Sequence, residues 1–372
     1  MEGEQKTILI CSNYAWTIYN FRMPLIKFLK KKGYVIYVLT QFDGYEHYIE
    51  KEVYQIKPLF ISRKGINPFL DLLTILDFIR YFKLIKPDIL LPFTIKPVIY
   101  GSIVARLFKV RTIASIEGLG TAFMTDNWVM KVVKILYKFA LSSASTVFFL
   151  NVDDRDLFVK TKLISANVCR LTPGSGIDLD TFGYVDLPKK DNMVFLLVAR
   201  MLWDKGVGEF VEAARLIKLK YPHVDFQLLG PLGVENRTAI SDRQVDDWCK
   251  EGIIKYLGET DKVAKYIEEA CCIVLPSYRE GTSRVLLEGA AIGRPLIASD
   301  VPGCREVIEH GVTGFLCKPK DYLDLSEKLE EMISLPYQVR KIMGDRGRKK
   351  VVNEFTQNIV CDLYIDAIEL RK

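Results

Sequence analysis

Glu280 and Glu288 stand eight residues apart in the run Ser277-Tyr278-Arg279-Glu280-Gly281-Thr282-Ser283-Arg284-Val285-Leu286-Leu287-Glu288-Gly289. Leu286, Leu287, Ala290 and Ala291 recur at helical spacing, so a helix starts near Thr282 or Ser283, either of them a competent N-cap. Eight helical residues separate the two carboxylates by roughly 12 Å along the axis, at about 1.5 Å per residue. The preceding run, Cys271-Cys272-Ile273-Val274-Leu275-Pro276, reads as a short buried strand closed by a breaker. A strand that turns through Glu280-Gly281 into a helix presents free backbone N–H groups, a seat for a diphosphate. Carboxylates accept hydroxyl protons, and the span between these two is comparable to a nucleotide sugar measured from hexose to ribose.

Further upstream, Arg200 and Lys205 lie in Ala199-Arg200-Met201-Leu202-Trp203-Asp204-Lys205-Gly206, again between a strand and a helix. A guanidinium offers phosphate oxygens a fork and an ammonium a point charge. Each spacing alone describes many solvated charge pairs. Together they form a set, because a departing nucleoside diphosphate develops negative charge that needs cations. In the first half, Glu117 in Ser115-Ile116-Glu117-Gly118-Leu119-Gly120 follows a strand. There a carboxylate receives or orients the proton of an attacking hydroxyl, or is simply a turn acid before Gly118. Asn13 after the first strand, Lys96 in Pro92-Phe93-Thr94-Ile95-Lys96-Pro97 and Arg22 near the first strand–helix turn are further candidates, the two cations for an acceptor phosphate. Asp178-Leu179-Asp180 has the D-x-D spacing of some metal sites, yet its Gly- and Ser-rich surroundings make it a turn cap. Three scattered histidines make a zinc site unexpected.

The elements that must carry these residues alternate. At 372 residues, 49% hydrophobic and 26% charged, the chain predicts two globular domains. Strands are expected at Thr7–Cys11, Tyr34–Thr40, Tyr54–Ile61, Ile89–Leu91, Arg111–Ile116 and Thr146–Leu150. A polar loop Asn13–Trp16 and a helix Phe21–Lys32 follow the first of them, and Asn67–Ile85 reads as a long helix closed by Lys86-Pro87. A second series runs through Met193–Ala199, helix Val207–Lys220, Val224–Leu229, helix Ser241–Glu251, Ile253–Leu257, Pro295–Ala298 and Thr313–Cys317. The end is helical from Tyr322 to Lys372 with a break at Leu335-Pro336. The fold class is α/β, with two Rossmann-like domains over 1–184 and 185–355, facing across a cleft.

Charge divides the halves: 24 Lys+Arg against 16 Asp+Glu in residues 1–185, and 28 against 30 in residues 186–372. The basic half has amphipathic stretches, Phe21, Leu25, Phe28 and Leu29 beside Lys27 and Lys30–Lys32, and Arg63–Leu70. These suit an anionic membrane surface, and with no nucleic-acid motif present, no nucleic-acid partner is expected. The polar Met1–Gln5 start does not read as a secretory signal, and no long uncharged apolar run exists to span a bilayer. Eight scattered cysteines without a C-x-x-C pair fit a reducing compartment.

Arg200-x4-Lys205, Glu280-x7-Glu288, Asp300-Val301-Pro302-Gly303-Cys304-Arg305-Glu306 and Gly311-x-x-Gly314-Phe315 resemble the retaining, GT-B-fold glycosyltransferases of the family 4 type. The segments Ile18–Pro24, Thr94–Pro97 and Ile116–Gly120 are similar to the bacterial members that build polyprenyl-diphosphate-linked glycans, among them PglA-type α-1,3-N-acetylgalactosaminyltransferases of N-linked protein glycosylation and O-antigen, lipopolysaccharide and capsule transferases. The resemblance implies a UDP-sugar donor in the second domain, with Glu280 on the transferred sugar, Glu288 on the ribose, Arg200 and Lys205 on the diphosphate, and Gly281, Thr282 and Ser283 lining that site. It implies an undecaprenyl-diphosphate-linked acceptor at the first domain, near Glu117, Gly118, Lys96, Arg22 and Asn13. It also implies a last helix, about 356–372, crossing back to pack on the first domain, no cofactor beyond the donor, no metal, and a cytoplasmic enzyme peripheral on the inner face of the cell membrane. Two departures stand out: Asn13-Tyr14-Ala15-Trp16 replaces the usual Gly-Gly, and Glu117-Gly118 replaces His-Gly, so Glu117 is the substitute candidate for activating the acceptor. A GT-B-like UDP-sugar epimerase and a non-catalytic sugar-nucleotide-binding component of a glycan assembly complex are the alternatives.

Overall fold

The computed structural model describes residues 5–62, 67–118, 128–189 and 192–370. Expectations touching 1–4, 63–66, 119–120, 190–191 and 371–372 lie outside the described residues. The chain forms two compact units, Met1–Ser175 with Gln357–Lys372, and Gly176–Thr356.

In the first unit β1 (Thr7–Tyr14), α1 (Ala15–Lys31), β2 (Val35–Gln41), α2 (Glu46–Glu50), β3 (Gln55–Pro58), α3 (Pro68–Ile85) and β4 (Ile89–Pro92) come in turn. They are followed by α4 (Ser102–Leu107), β5 (Arg111–Ile116), α5 (Trp128–Leu141), β6 (Thr146–Phe149), α6 (Val152–Lys160) and β7 (Cys169–Leu171). All strands are parallel, in the order β3-β2-β1-β4-β5-β6-β7. The sheet therefore reverses its direction of growth between β1 and β4, and ligands of open α/β sheets bind beyond the strand carboxyl ends at such a point.

Alternate strand residues face opposite layers. Leu9, Leu90 and Ala114 pack with Phe78 and Phe82 of α3 and Tyr137 of α5, while Ile8, Ile10 and Leu91 pack with Leu25 and Leu29 of α1. The last helix, α13 (Gln357–Glu369), belongs to this unit and buries Val360, Tyr364 and Ile368 in the α1 layer. Arg111 fastens its end, donating to the carbonyls of Ala367 (2.6 Å) and Ile368 (2.9 Å), where a cation also meets the negative helix pole.

The second unit runs β8 (Val194–Val198), α7 (Val207–Lys220), β9 (Asp225–Leu229), α8 (Asp242–Lys250), β10 (Lys255–Tyr256), α9 (Val263–Glu269) and β11 (Cys272–Leu275). After these come α10 (Arg284–Ile292), β12 (Leu296–Ser299), β13 (Gly314–Cys317), α11 (Tyr322–Ser334) and α12 (Tyr337–Glu354). Its parallel order, β10-β9-β8-β11-β12-β13, puts the reversal between β8 and β11.

Three local expectations are corrected. The polar loop over Asn13–Trp16 is absent: β1 stays paired as far as Tyr14 and α1 begins at once. Its first turn is capped from a distance, the Asp43 carboxylate accepting the Trp16 amide at 3.1 and 3.2 Å. The C-terminal helical stretch breaks a second time, after Glu354, where Phe355 buries its ring and its carbonyl accepts the Ile177 amide (2.8 Å). The apolar face of α1 is no surface, since Leu25 and Leu29 lie in the core. Among the described residues no helix is long and apolar enough to cross a membrane.

Candidate active site

In the second unit the loops leaving β8 and β11 meet at the reversal. The loop after β8 holds Asp204 and Lys205, the loop after β11 Tyr278 and Glu280. They are stitched by backbone: the Asp204 carbonyl accepts the Tyr278 amide (2.9 Å) and the Ser277 hydroxyl (3.2 Å). Gly206 makes the approach possible. It sits at φ +73°, and a Cβ there would lie 2.0 Å from the Pro276 oxygen. Tyr278 donates its hydroxyl to Glu209 on α7 (2.6 Å), and Asp204 accepts from the Thr238 hydroxyl (3.1 Å). Burial and the Glu209 carboxylate push the Tyr278 phenol well up, so it acts as a donor.

This framework puts Lys205 Nζ 2.6 Å from Glu280 Oε1, both side chains largely enclosed. A third loop, after β12, seats Glu280. Its amide donates to the Pro302 carbonyl (3.1 Å), and the Ser283 amide to the Gly303 carbonyl (2.9 Å). The Gly303 amide is held by Glu306 Oε2 (2.6 Å). Two amides of this strand-to-helix turn, those of Glu280 and Ser283, are thus taken by the neighbouring loop. Ser283 is the N-cap of α10, its hydroxyl accepting the Leu286 amide (3.5 Å), as the spacing predicts. On the next turns Arg284 Nε donates to Glu288 Oε1 (2.9 Å). Burial raises the Glu288 carboxyl above its ordinary value, against the opposing pull of Arg284. Arg200 is exposed.

In the first unit the β1 and β4 ends are joined by the Asn13 amide donating to Thr94 Oγ1 (3.1 Å). Thr94 has φ +64°, an uncommon left-handed conformation at the reversal point. Two steps on, Lys96 Nζ pairs with the buried Asp71 of α3 at 2.8 Å. Arg22 on α1 is buried, lies over the Phe93 ring (4.1 Å) and forms an ion pair with Glu117 beyond β5. Asp178, by contrast, caps a turn: its carboxylate accepts the Asp180 amide (3.0 Å) and the Thr181 hydroxyl (2.8 Å).

Residues 185–350 match the glycosyl transferases group 1 family and residues 7–151 the glycosyl transferase 4-like family. Over 95% of this chain and 96% of its own length, the N,N'-diacetylbacillosaminyl-diphospho-undecaprenol alpha-1,3-N-acetylgalactosaminyltransferase of Campylobacter jejuni is 28% identical. The chain is a glycosyltransferase.

Its fold is GT-B. Sucrose-phosphate synthase of Thermosynechococcus elongatus superposes with TM-score 0.79 at 19% identity, covering 98% of this chain and 99% of that one. HepE of Anabaena, solved in complex with UDP and glucose, gives 0.77 at 18%, covering 99% and 100%. In the glycosyltransferase's second unit, then, the sequence-selected Lys205, Glu280, Ser283 and Glu288 gather around α10, with Gly281 and Thr282 on the connecting loop. The supports are a different matter. Asp204, Tyr278 and Glu209 have no spacing that marks them out in the sequence, although Asp204 stands beside Lys205. Glu306 holds the turn under Glu280, a use that depends on the β12 loop folding back. Lys96 meets Asp71 from 25 residues away, a separation that no local spacing registers.

Proposed function

We propose that this glycosyltransferase moves a hexose or N-acetylhexosamine, N-acetylgalactosamine first among them, from a UDP-sugar to an undecaprenyl-diphosphate-linked sugar. It forms an α-1,3 linkage with retention of configuration, in bacterial glycan assembly. The observation that carries the reading is the Lys205–Glu280 pair at the β8/β11 reversal, with Glu288 further along α10. A diphosphate offers Lys205 more negative charge than a single carboxylate does. On donor binding the ammonium turns to the phosphates, Arg200 adds a guanidinium fork, and Glu280 is released to accept hydroxyls of the transferred sugar. Glu288 accepts the ribose hydroxyls. As the diphosphate departs, Lys205 stands against its growing charge.

In the first unit Glu117 receives or orients the acceptor hydroxyl proton, and Arg22, buried and stacked on Phe93, positions that carboxylate. Lys96 and Asn13 serve the acceptor diphosphate, beside Gly118. The UDP and glucose bound by HepE, and the undecaprenol acceptor in the Campylobacter relative's name, support this choice of substrates. An acceptor of that kind and the basic first half favour a protein peripheral on the inner face of the cell membrane.

The test is a panel of radiolabelled UDP-sugars offered with undecaprenyl-diphosphate monosaccharides, scored by label extracted into organic solvent. One donor should move label into the lipid phase. Conversion of donor without acceptor would point to an epimerase instead. Tight UDP binding with no turnover on any pair would make the chain a binding component.

A further inference from the structure

On α3 the residues that face outward are Phe69, Leu72, Leu73, Leu76, Arg80 and Lys83, one stripe at helical spacing. Phe69 is 82% exposed and the three leucines are about half exposed. The inward stripe of the same helix holds a carboxylate, Asp71, paired with Lys96. This helix is therefore apolar on both sides: Phe78 and Phe82 pack in the core, while Phe69 and the three leucines meet solvent, where a surface helix ordinarily carries polar residues.

The neighbouring helices continue the pattern. α5 packs in the same layer and turns out Lys131, Ile135, Lys138 and Phe139, with Ile135 67% exposed. Between them the end of α4 exposes Leu107, and Arg106 lies over the Phe139 ring at 4.8 Å while donating to Ser142 Oγ (2.8 Å). No carboxylate stands on either outward stripe: Asp71 is buried, Asp77 is partly buried and accepts the Phe60 amide (3.0 Å), and α5 carries no acid.

We propose that the outer surface of the α3–α4–α5 layer is the face with which the protein lies on an anionic lipid bilayer. Leucines and phenylalanines enter the acyl boundary while Arg80, Lys83, Lys131 and Lys138 meet the headgroups. A second copy of this chain would bring the same cations against themselves, so the single sign of charge favours the bilayer. The inference rests on the membrane-linked acceptor proposed above, and it moves the contact away from α1, whose leucines are core.

The experiment is flotation of the full chain with vesicles of equimolar phosphatidylcholine and phosphatidylglycerol, and with phosphatidylcholine alone. Wild type should float with the anionic vesicles. The double substitution Leu72→Ser/Leu76→Ser, at exposed positions that leave the melting curve unchanged, should lower partitioning at least about tenfold. Arg80→Glu/Lys83→Glu should lower it more than about 25-fold, at about fivefold per charge. Lys27→Glu/Lys31→Glu on α1 should keep most of the binding. Transfer to a short-chain, detergent-dispersed acceptor should be the same in all variants. Floating wild type with equally floating α3 variants overturns the assigned face and leaves the membrane reading standing. Wild type that never floats overturns both. Loss of a dimer in light scattering, with vesicle binding intact, makes the face a protein contact and also overturns the proposal.

Discussion

The seat of Glu280 is set by one glycine. Gly303 adopts φ +84°, and a Cβ built on it would stand 2.6 Å from the Glu280 carbonyl carbon and oxygen and 2.7 Å from its Cβ. Gly303→Ala must therefore do two things. It places a non-glycine residue in the left-handed region, at roughly 1–2 kcal/mol. It also drives a methyl into backbone atoms that prefer about 3.5 Å, so the Glu280 loop must retreat by about 0.9 Å. Overpacking of that kind costs typically 1–3 kcal/mol, so the whole destabilisation is about 3 kcal/mol, below the roughly 5–15 kcal/mol that holds a domain folded. The melting midpoint should fall by roughly 6–12 °C. Catalysis should suffer far more. A shift of about 1 Å in a positioned group costs on the order of 100-fold in rate, so kcat should fall by about that factor. UDP affinity, which depends also on Lys205 and Glu288, should fall much less. Steady-state transfer kinetics, UDP calorimetry and a melting curve on one preparation decide it. Undiminished kcat in a variant that melts lower would refute the link between this turn and the function of Glu280.

The remaining predictions concern charge and burial. Glu280→Gln keeps the shape but removes the charge, and transfer should drop by about 10²–10³-fold while calorimetry finds UDP binding intact. Burial raises the Glu288 carboxyl, so it holds its proton to a higher pH than an ordinary carboxylate does. Titrations should show UDP affinity weakening as pH falls through that raised value, and Glu288→Gln should flatten the profile. By the same sign, the folded chain binds this proton more tightly than the unfolded one, so the group's share of stability is full below the unfolded pKa and lost as pH rises through the folded one. Arg294, fully buried, donates to the carbonyls of Asp186 (3.0 Å), Glu268 (3.1 Å), Ala270 (3.4 Å) and Ile292 (3.3 Å). Arg294→Met takes the donor from those carbonyls, of which Ile292 keeps the Val185 amide, and should cost about 3–5 kcal/mol in urea unfolding, at about 1–3 kcal/mol for each acceptor left unsatisfied.

Alternation of apolar runs and periodic helices is a local property, which is why helix Val207–Lys220 and strand Arg111–Ile116 have the bounds their spacing predicts. The α10 start was legible for the same reason, because Ser283 caps it three residues from its partner. What was not legible is everything the chain supplies to itself from afar. Asp43 caps α1 from 27 residues away, which no spacing rule registers, and the helix start moved from Phe21 to Ala15. The amphipathic spacing of α1 was visible, but a period of 3.6 says which residues share a face and not whether that face meets lipid or α13. At the site, residue types announced the charges, Lys205, Glu280 and Glu288. Their pairing, and the capture of the Glu280 and Ser283 amides by Pro302 and Gly303, arose only once three loops met at the β8/β11 reversal.

A crystal structure with UDP bound tests the central claim most directly. The diphosphate should lie within hydrogen-bonding distance of Lys205 Nζ and the ribose hydroxyls on the Glu288 carboxylate, with the Lys205–Glu280 contact opened. UDP bound away from the β8 and β11 loops, or seated there with Lys205 still closed on Glu280 and Glu288 turned from the ribose, would contradict it.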